Sequence, residues 1–333
     1  MNHQTNQKVL IMATPLYHKE GDYSKILRDA GLEPVFPPEC KPGVSEEELA
    51  TWLSDRSIVA VLAGGEPYTR RVIEAAPGLR IISRAGVGTD SVDIQAATER
   101  GVFVTITPGA NHEAVAEHTF ALLLSLSRQI LKRDHEVRRG IWNRNPLLPL
   151  RGKTLGVVGM GRIGRAVIQR AHAFGMRILV TEEYPDPEFL ERFEAELVSL
   201  EELLARSDYV TLHVPLTERT RHMINRRTIA LMKQGAILVN TARGGLVCES
   251  DLIEALRSGQ LGGAGLDVFE QEPLPTDSPL AQMENVVLAP HVAGIDERSM
   301  YEMAVGAARN IVNVLHMNLD PEVIVNKELL PAI

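Results

Sequence analysis

Short aliphatic and β-branched runs alternate along this chain with stretches whose apolar residues recur every three to four positions. That alternation of periods is the pattern of a parallel α/β architecture. Strands are predicted at 8–13, 58–63, 80–83 and 102–105, then at 155–159, 178–182, 209–213, 236–240, 265–268 and 286–289. IVAVLA at 58–63 is apolar on both faces, as suits a strand covered by helices on both sides. Ser45 and Glu48 stand at capping-box spacing ahead of Leu49 and Trp52, which marks a helix start. Val115, Thr119, Leu122, Leu123 and Leu126 predict one long helix over 112–139, read here as a connection between domains. The Pro-rich turn NPLLPLRGK then leads into the second strand series. A last helix, 296–317, has no obvious place for its apolar face in the second sheet and is expected to return to the first domain. The predicted division is therefore 1–108 plus 295–333, with 109–294 inserted.

Length agrees with this division, since 333 residues suffice for about two domains with real cores. Hydrophobic residues at 44% and charged residues at 23% exclude wholesale disorder. A net charge of −8 without a basic tract argues against nucleic acid or an anionic membrane as partner. The longest apolar stretch, 120–126, is too short to span a bilayer, and the N-terminus lacks the pattern of a signal peptide. With only Cys40 and Cys248, the chain offers neither a disulfide framework nor a zinc quartet, and a cytoplasmic setting is expected. No metal is expected.

The sharpest local signal is Gly159-Met-Gly161-Arg162-Ile163-Gly164, between the apolar run TLGVV and a helical stretch. Gly159 allows the tight turn, Gly161 lets backbone approach a pyrophosphate, and Gly164 allows close helix–strand packing. The helix N-terminus then faces the anion. Glu182, roughly 20 residues beyond the motif, stands where an acidic side chain takes the ribose diol and repels a 2′-phosphate. This favours NAD over NADP. The adjacent Glu183 is an alternative for that role, and no Arg lies in the turn itself.

Three further polar stretches directly follow apolar strands: NTARGG at 240–245, GLDVFEQEP at 265–273 and APHVAG at 289–294. Carboxyl ends of strands are where parallel sheets place their chemistry. An Arg, a Glu and a His delivered there can act together on a carbonyl.

These stretches, with ISRAGVGTDSVD, TPGANHEAVAEHT and GKTLGVVGMGRIGRAV, resemble the D-isomer-specific 2-hydroxyacid dehydrogenase family, which includes phosphoglycerate dehydrogenase. The resemblance runs over nearly the whole chain. It implies a Rossmann NAD domain inserted into a discontinuous flavodoxin-like substrate domain, both doubly wound parallel sheets, closing over the cofactor. It implies NAD as cofactor, a small 2-hydroxy or 2-oxo acid as substrate, and a homodimer formed through the NAD domain near 116–129. His291 and Glu272 match the family's catalytic pair and Arg243 its substrate-binding arginine. Val87 and Gly88, with Gly86 before them, match the loop that receives the substrate carboxylate. Asn111 matches either a polar cleft position or a helix cap. On the cofactor side the matches are Gly159, Gly161, Arg162, Ile163, Gly164, Glu182, His213, Val214, Pro215, Thr241, Ala242, Asp267, His291 and Gly294.

In those roles His291 gives the carbonyl oxygen its proton, as imidazole is suited to do near neutral pH. Glu272 fixes the tautomer and stabilises the imidazolium, and the planar Arg243 fork grips carboxylate and carbonyl oxygens together. His213 and His118 read as packed structural histidines. Ile106 and Asp296 stand where relatives often carry Asn and Thr, which bears on substrate preference. The end at 333 leads us to expect no appended regulatory domain.

Other readings are an NAD-sensing corepressor-like binding protein, or a formate- or phosphite-type dehydrogenase on the same scaffold. Glu272 argues against the formate type, which carries Gln there, and no Lys adjoins Gly86–Gly88 to suit phosphite. Arg84, Arg144 and Arg151 leave both a phosphorylated substrate such as 3-phosphoglycerate and an unphosphorylated one such as glyoxylate or hydroxypyruvate open.

Overall fold

A computed structural model of the chain describes residues 7–39, 41 and 43–331, so that Cys40 lies outside the described residues. The chain divides into two compact units, Met1–Asn111 with Asp296–Ile333, and His112–Ile295. Among the described residues no helix is long and apolar enough to cross a membrane.

The first unit carries β1 (Lys8–Ile11), β2 (Glu33–Val35), β3 (Ile58–Ala63), β4 (Ile81–Arg84) and β5 (Phe103–Thr105). They pair in parallel in the order β2-β1-β3-β4-β5, the flavodoxin-like winding. Every residue of central β3 is buried, as its unbroken apolar run requires. Helix Glu46–Leu53 opens with the expected capping box: Glu48 N–H donates to Ser45 Oγ and Ser45 N–H to Glu48 Oε2. The final helix, Glu297–Leu315, belongs to this unit. Ala304, Ala307, Ala308 and Ile311 on its apolar face share a core with Val9, Ile11, Ala60 and Ile81 of the sheet. Asp296 caps it, accepting from Ser299 N–H at 2.6 Å.

The second unit carries β6 (Thr154–Val158), β7 (Arg177–Thr181), β8 (Ala195–Leu197), β9 (Tyr209–Leu212), β10 (Ala236–Asn240), β11 (Leu261–Leu266) and β12 (Val286–Leu288). Their parallel order, β12-β11-β10-β9-β6-β7-β8, is the Rossmann winding extended by one strand. The direction of winding reverses between β6 and β9, which makes their carboxyl ends the switch point where ligands bind.

The structure corrects three expectations. The stretch read as one connecting helix over 112–139 is two helices, His112–Ser127 and Ile130–Arg138, separated at Gln129 in a left-handed conformation (φ 50°). The first packs wholly inside the second unit, where Ala116, Phe120, Leu122 and Leu123 join the core. The second buries no residue, so nothing holds the two collinear. Secondly, β11 begins earlier than expected because Gly262, Gly263 and Gly265 disguised it. A Cβ at Gly265 would lie 2.9 Å from Leu122 Cβ, so the glycines are what let helix His112–Ser127 sit close to the sheet. Thirdly, β2 and β8 are short edge strands that the pattern did not show: Pro34 interrupts one, and the other is largely exposed.

Candidate active site

The glycine turn leaves β6 at the switch point. Gly159 adopts φ 95°, and a Cβ there would lie 2.8 Å from Val214 Cγ1 and 2.9 Å from the His213 carbonyl oxygen. A Cβ on Gly164 would fall 2.1 Å from the Gly159 carbonyl oxygen, so the turn folds back onto the first helical residues. At Gly161, by contrast, a Cβ would meet nothing within 4 Å. That glycine faces open space, where a group approaching the backbone would lie. It is also the N-cap of helix Arg162–Ala173 and brings no side-chain cap, so the helix's first N–H groups, from Arg162 and Ile163 on, point toward the same space. The residues present thus fit a dinucleotide pyrophosphate.

Glu182 follows β7 and turns back to this loop. Its Oε2 accepts from Met160 N–H at 2.6 Å, and its Oε1 from Glu183 and Tyr184 N–H. Partial burial works against its charge, but the three N–H donors and nearby Arg165 outweigh burial and hold the carboxyl below the usual range. Glu183 points elsewhere, to Arg219 at 3.6 Å. The sequence order did not reveal that an Arg from another loop comes this near to β7.

His213, Val214 and Pro215 follow β9, tied to β6 by His213 N–H donating to the Val158 carbonyl. The His213 ring pairs Nε2 with Thr211 Oγ1 at 2.9 Å, and burial pushes its pKa down to about 3. It is a neutral packing group, not an acid–base catalyst.

At the end of β10 the buried Asn240 shapes the next loop. Its Nδ2 donates to the Arg243 carbonyl and its Oδ1 accepts from Ala242 N–H. This is the Asn habit of bonding local backbone, and it positions Arg243. Thr241 is buried and shares a hydrogen bond with Thr119 of helix His112–Ser127. Gly244 lies against the next loop so closely that a Cβ would fall 1.9 Å from the Phe269 carbonyl carbon and oxygen.

Asp267, fully buried after β11, accepts from Val292 N–H through Oδ1 and from Ala293 N–H through Oδ2, both at 2.8 Å. Its carbonyl accepts from His291 N–H. These three bonds hold the 291–294 loop, in which His291 takes a left-handed backbone (φ 55°). That conformation is uncommon for a ring-bearing residue and persists where surrounding bonds impose it. His291 Nδ1 then meets Glu272 Oε2 at 2.7 Å, while Glu272 Oε1 accepts from Phe269 N–H. Burial works against ionisation of Glu272. The His291 bond, the Phe269 N–H and the charge of Arg243 overcome it, so the carboxyl stays below its usual range. With Nδ1 committed to the carboxylate, Nε2 is the nitrogen left for proton transfer.

The structure thus brings His291, Glu272 and Asp267 into direct contact or one residue from it, with Arg243 in electrostatic range. Asn240 and Gly244 were not singled out from sequence, although NTARGG contained both. In the first unit, Gly86 (φ 149°) exchanges bonds with Thr107, and Arg84 Nε donates to the Gly88 carbonyl, leaving Val87 exposed. Asn111 immediately precedes helix His112–Ser127.

A profile described as D-isomer specific 2-hydroxyacid dehydrogenase, NAD binding domain, matches residues 120–293. The chain is 46% identical over 270 residues to a glyoxylate reductase of Korarchaeum cryptofilum, covering 79% of this chain and 81% of that one. It is 43% identical over 319 residues to a D-3-phosphoglycerate dehydrogenase of Methanocaldococcus jannaschii, spanning 95% of this chain but 59% of that longer protein. Among solved structures, a glyoxylate reductase from Paecilomyes thermophila superposes with a TM-score of 0.84 at 30% identity, covering 97% and 99% of the two chains.

Proposed function

Because the chain belongs to the D-isomer specific 2-hydroxyacid dehydrogenase family and is an NAD-dependent oxidoreductase of CH–OH groups, we propose that it reversibly reduces a small unphosphorylated 2-oxo acid of the glyoxylate or hydroxypyruvate type. The observation that carries the 2-oxo acid reduction is the 2.7 Å bond between His291 Nδ1 and Glu272 Oε2. When bound, NADH supplies the hydride for the carbonyl carbon. His291 holds the proton for the carbonyl oxygen on Nε2, and Glu272 stabilises the imidazolium until transfer. Arg243 orients the substrate by charge-assisted hydrogen bonds, each contributing about 1.5–3 kcal/mol. Val87, Gly88 and Asn111 serve the substrate carboxylate. Gly159, Gly161, Arg162, Ile163 and Gly164 cradle the pyrophosphate, and Glu182 takes the ribose diol. His213, Val214 and Pro215 line the adenosine side. Thr241, Ala242, Asp267 and Gly294 lie on the nicotinamide side.

The unphosphorylated substrate is favoured because Arg84, the cation nearest the Gly86–Gly88 loop in sequence, is already engaged. It bonds the Gly88 carbonyl, and its charge acts on the buried carboxylate of Glu66. A second reading, 3-phosphoglycerate, is favoured by the exposed Arg144 and Arg151 and by the Methanocaldococcus relative. Steady-state kcat/KM with NADH decides between them. Glyoxylate or hydroxypyruvate should exceed phosphohydroxypyruvate by at least about tenfold, a difference of roughly 1.4 kcal/mol. The opposite order establishes the second reading, and no NADH oxidation with any of the three sinks both.

The homodimer belongs to the same proposal, but its contact shifts along the chain. The 116–123 face is buried inside the unit, whereas Ile130, Leu131, Val137, Ile141, Trp142 and Leu148 are exposed in one sequence neighbourhood. A run of exposed apolar side chains of this kind fits a second copy of the chain. Light scattering after gel filtration should give twice the chain mass. Trp142→Glu combined with Leu131→Glu should give one, and a wild-type monomer would defeat the proposal. A cytoplasmic setting, where the free Cys248 thiol persists, accords with this reading.

A further inference from the structure

On the flank of the catalytic loops three side chains converge that the dehydrogenase chemistry does not use. His222 Nε2 lies 2.8 Å from Glu270 Oε1, and both fall with Cys248 Sγ in a group whose ligand atoms are within 4.8 Å of one another. We propose that His222, Cys248 and Glu270 form a binding site for one divalent transition-metal ion, zinc by preference, with water completing the coordination.

Donor chemistry and the rigidity of the backbone behind it both support the assignment. Imidazole, thiolate and carboxylate on one tetrahedral centre suit zinc, whereas magnesium and calcium take oxygen donors. Zinc holds such donors at about 2.0–2.3 Å, so modest side-chain rotations close the present spacing onto an ion. The three ligands come from different segments that the fold has already joined. His222 N–H donates to the Gly245 carbonyl, Ile224 N–H to that of Leu246, and Cys248 N–H to that of Ile224. Glu270 N–H donates to Glu249 Oε1, and Glu249 N–H to Glu270 Oε1. His222 itself holds a left-handed backbone (φ 49°), fixed by its N–H bond to Gly245 and by its carbonyl accepting from Asn225 Nδ2.

Charge favours a cation here as well, because reciprocal backbone bonds draw the Glu249 carboxylate in beside that of Glu270. Coordination takes the Cys248 sulfur as thiolate, its proton passing to solvent. Glu270 stands two residues before Glu272, so an ion there clamps the loop that presents the partner of His291. The ion's expected role is to stiffen that loop, not to enter the reaction.

Cobalt(II) titration of the chelator-treated full-length protein tests the site, because thiolate-bound tetrahedral cobalt gives a near-ultraviolet charge-transfer band and strong visible bands. Both should saturate at one equivalent and disappear when zinc is added. Cys248→Ser should abolish the near-ultraviolet band, and His222→Gln should weaken cobalt binding at least about tenfold. Cys40→Ser should leave the spectrum unchanged. Zinc should also raise the Tm of the wild-type chain but not of Cys248→Ser. Absence of the band at one equivalent, or its survival in Cys248→Ser, overturns the proposal.

Discussion

Replacing His291 with Gln should lower kcat for 2-oxo acid reduction by about 10²–10⁴-fold while leaving NADH affinity nearly unchanged. Gln keeps much of the volume but holds no transferable proton, so the loss falls on the chemical step. Fluorescence titration of NADH separates this result from misfolding. An effect below about tenfold would remove His291 from the acid role. Glu272→Gln refines the same prediction. The amide cannot match the carboxylate's charge-assisted bond to His291 Nδ1, which spans 2.7 Å, so kcat should fall at least about tenfold while NADH affinity stays near wild type. The sign with pH follows from Glu272 itself. Burial opposes its charge, but the His291 bond, the Phe269 N–H and Arg243 hold it below the ordinary value of 4.5, so the carboxylate is present above that pH and is lost only as pH falls through the lowered value.

Gly244→Ala should be nearly as damaging, for a geometric reason. The new methyl would lie 1.9 Å from the Phe269 carbonyl, and backbone cannot swing aside as a side chain can. The loop carrying Arg243 and the loop leading to Glu272 must separate. Overpacking of this kind costs about 1–3 kcal/mol or more, a fall in Tm of roughly 2–12 °C for a unit of this size. Misplacement by about 1 Å is expected to lower kcat/KM roughly 10²-fold. Gly245→Ala is the control: its methyl would meet the flexible end of Leu216 at 3.0 Å and should be far milder. Equal activities for the two variants would refute the argument.

Much of the architecture was legible because long apolar runs such as IVAVLA and AILVN can only be buried strands, and alternation with helices makes them parallel. The glycine motif could be read residue by residue because each glycine meets a different constraint: a positive φ, an open approach or a backbone contact. What escaped did so for physical reasons. Pro34 hid β2, three glycines disguised the start of β11, and the break at Gln129 depends on packing that the helical period does not encode. In the site, Arg243, Glu272 and His291 were visible as polar residues after strands. Asp267 matches a cofactor position, and its carboxylate also holds the 292–293 backbone, a role that spacing along the chain cannot reveal. Asn240 acts likewise on the Arg243 loop. The His222, Cys248 and Glu270 cluster has no sequence spacing that would announce it, because three separate loops supply it.

In the proposed reaction His291 and Arg243 act on one and the same carbonyl oxygen. A crystal structure of the chain with NADH and oxamate, an unreactive 2-oxo acid mimic, measures this directly. His291 Nε2 and an Arg243 guanidinium nitrogen should both lie within about 3 Å of the oxamate oxygen that replaces the ketone. Either side chain more than roughly 5 Å from that oxygen, well beyond hydrogen-bond reach, would contradict it.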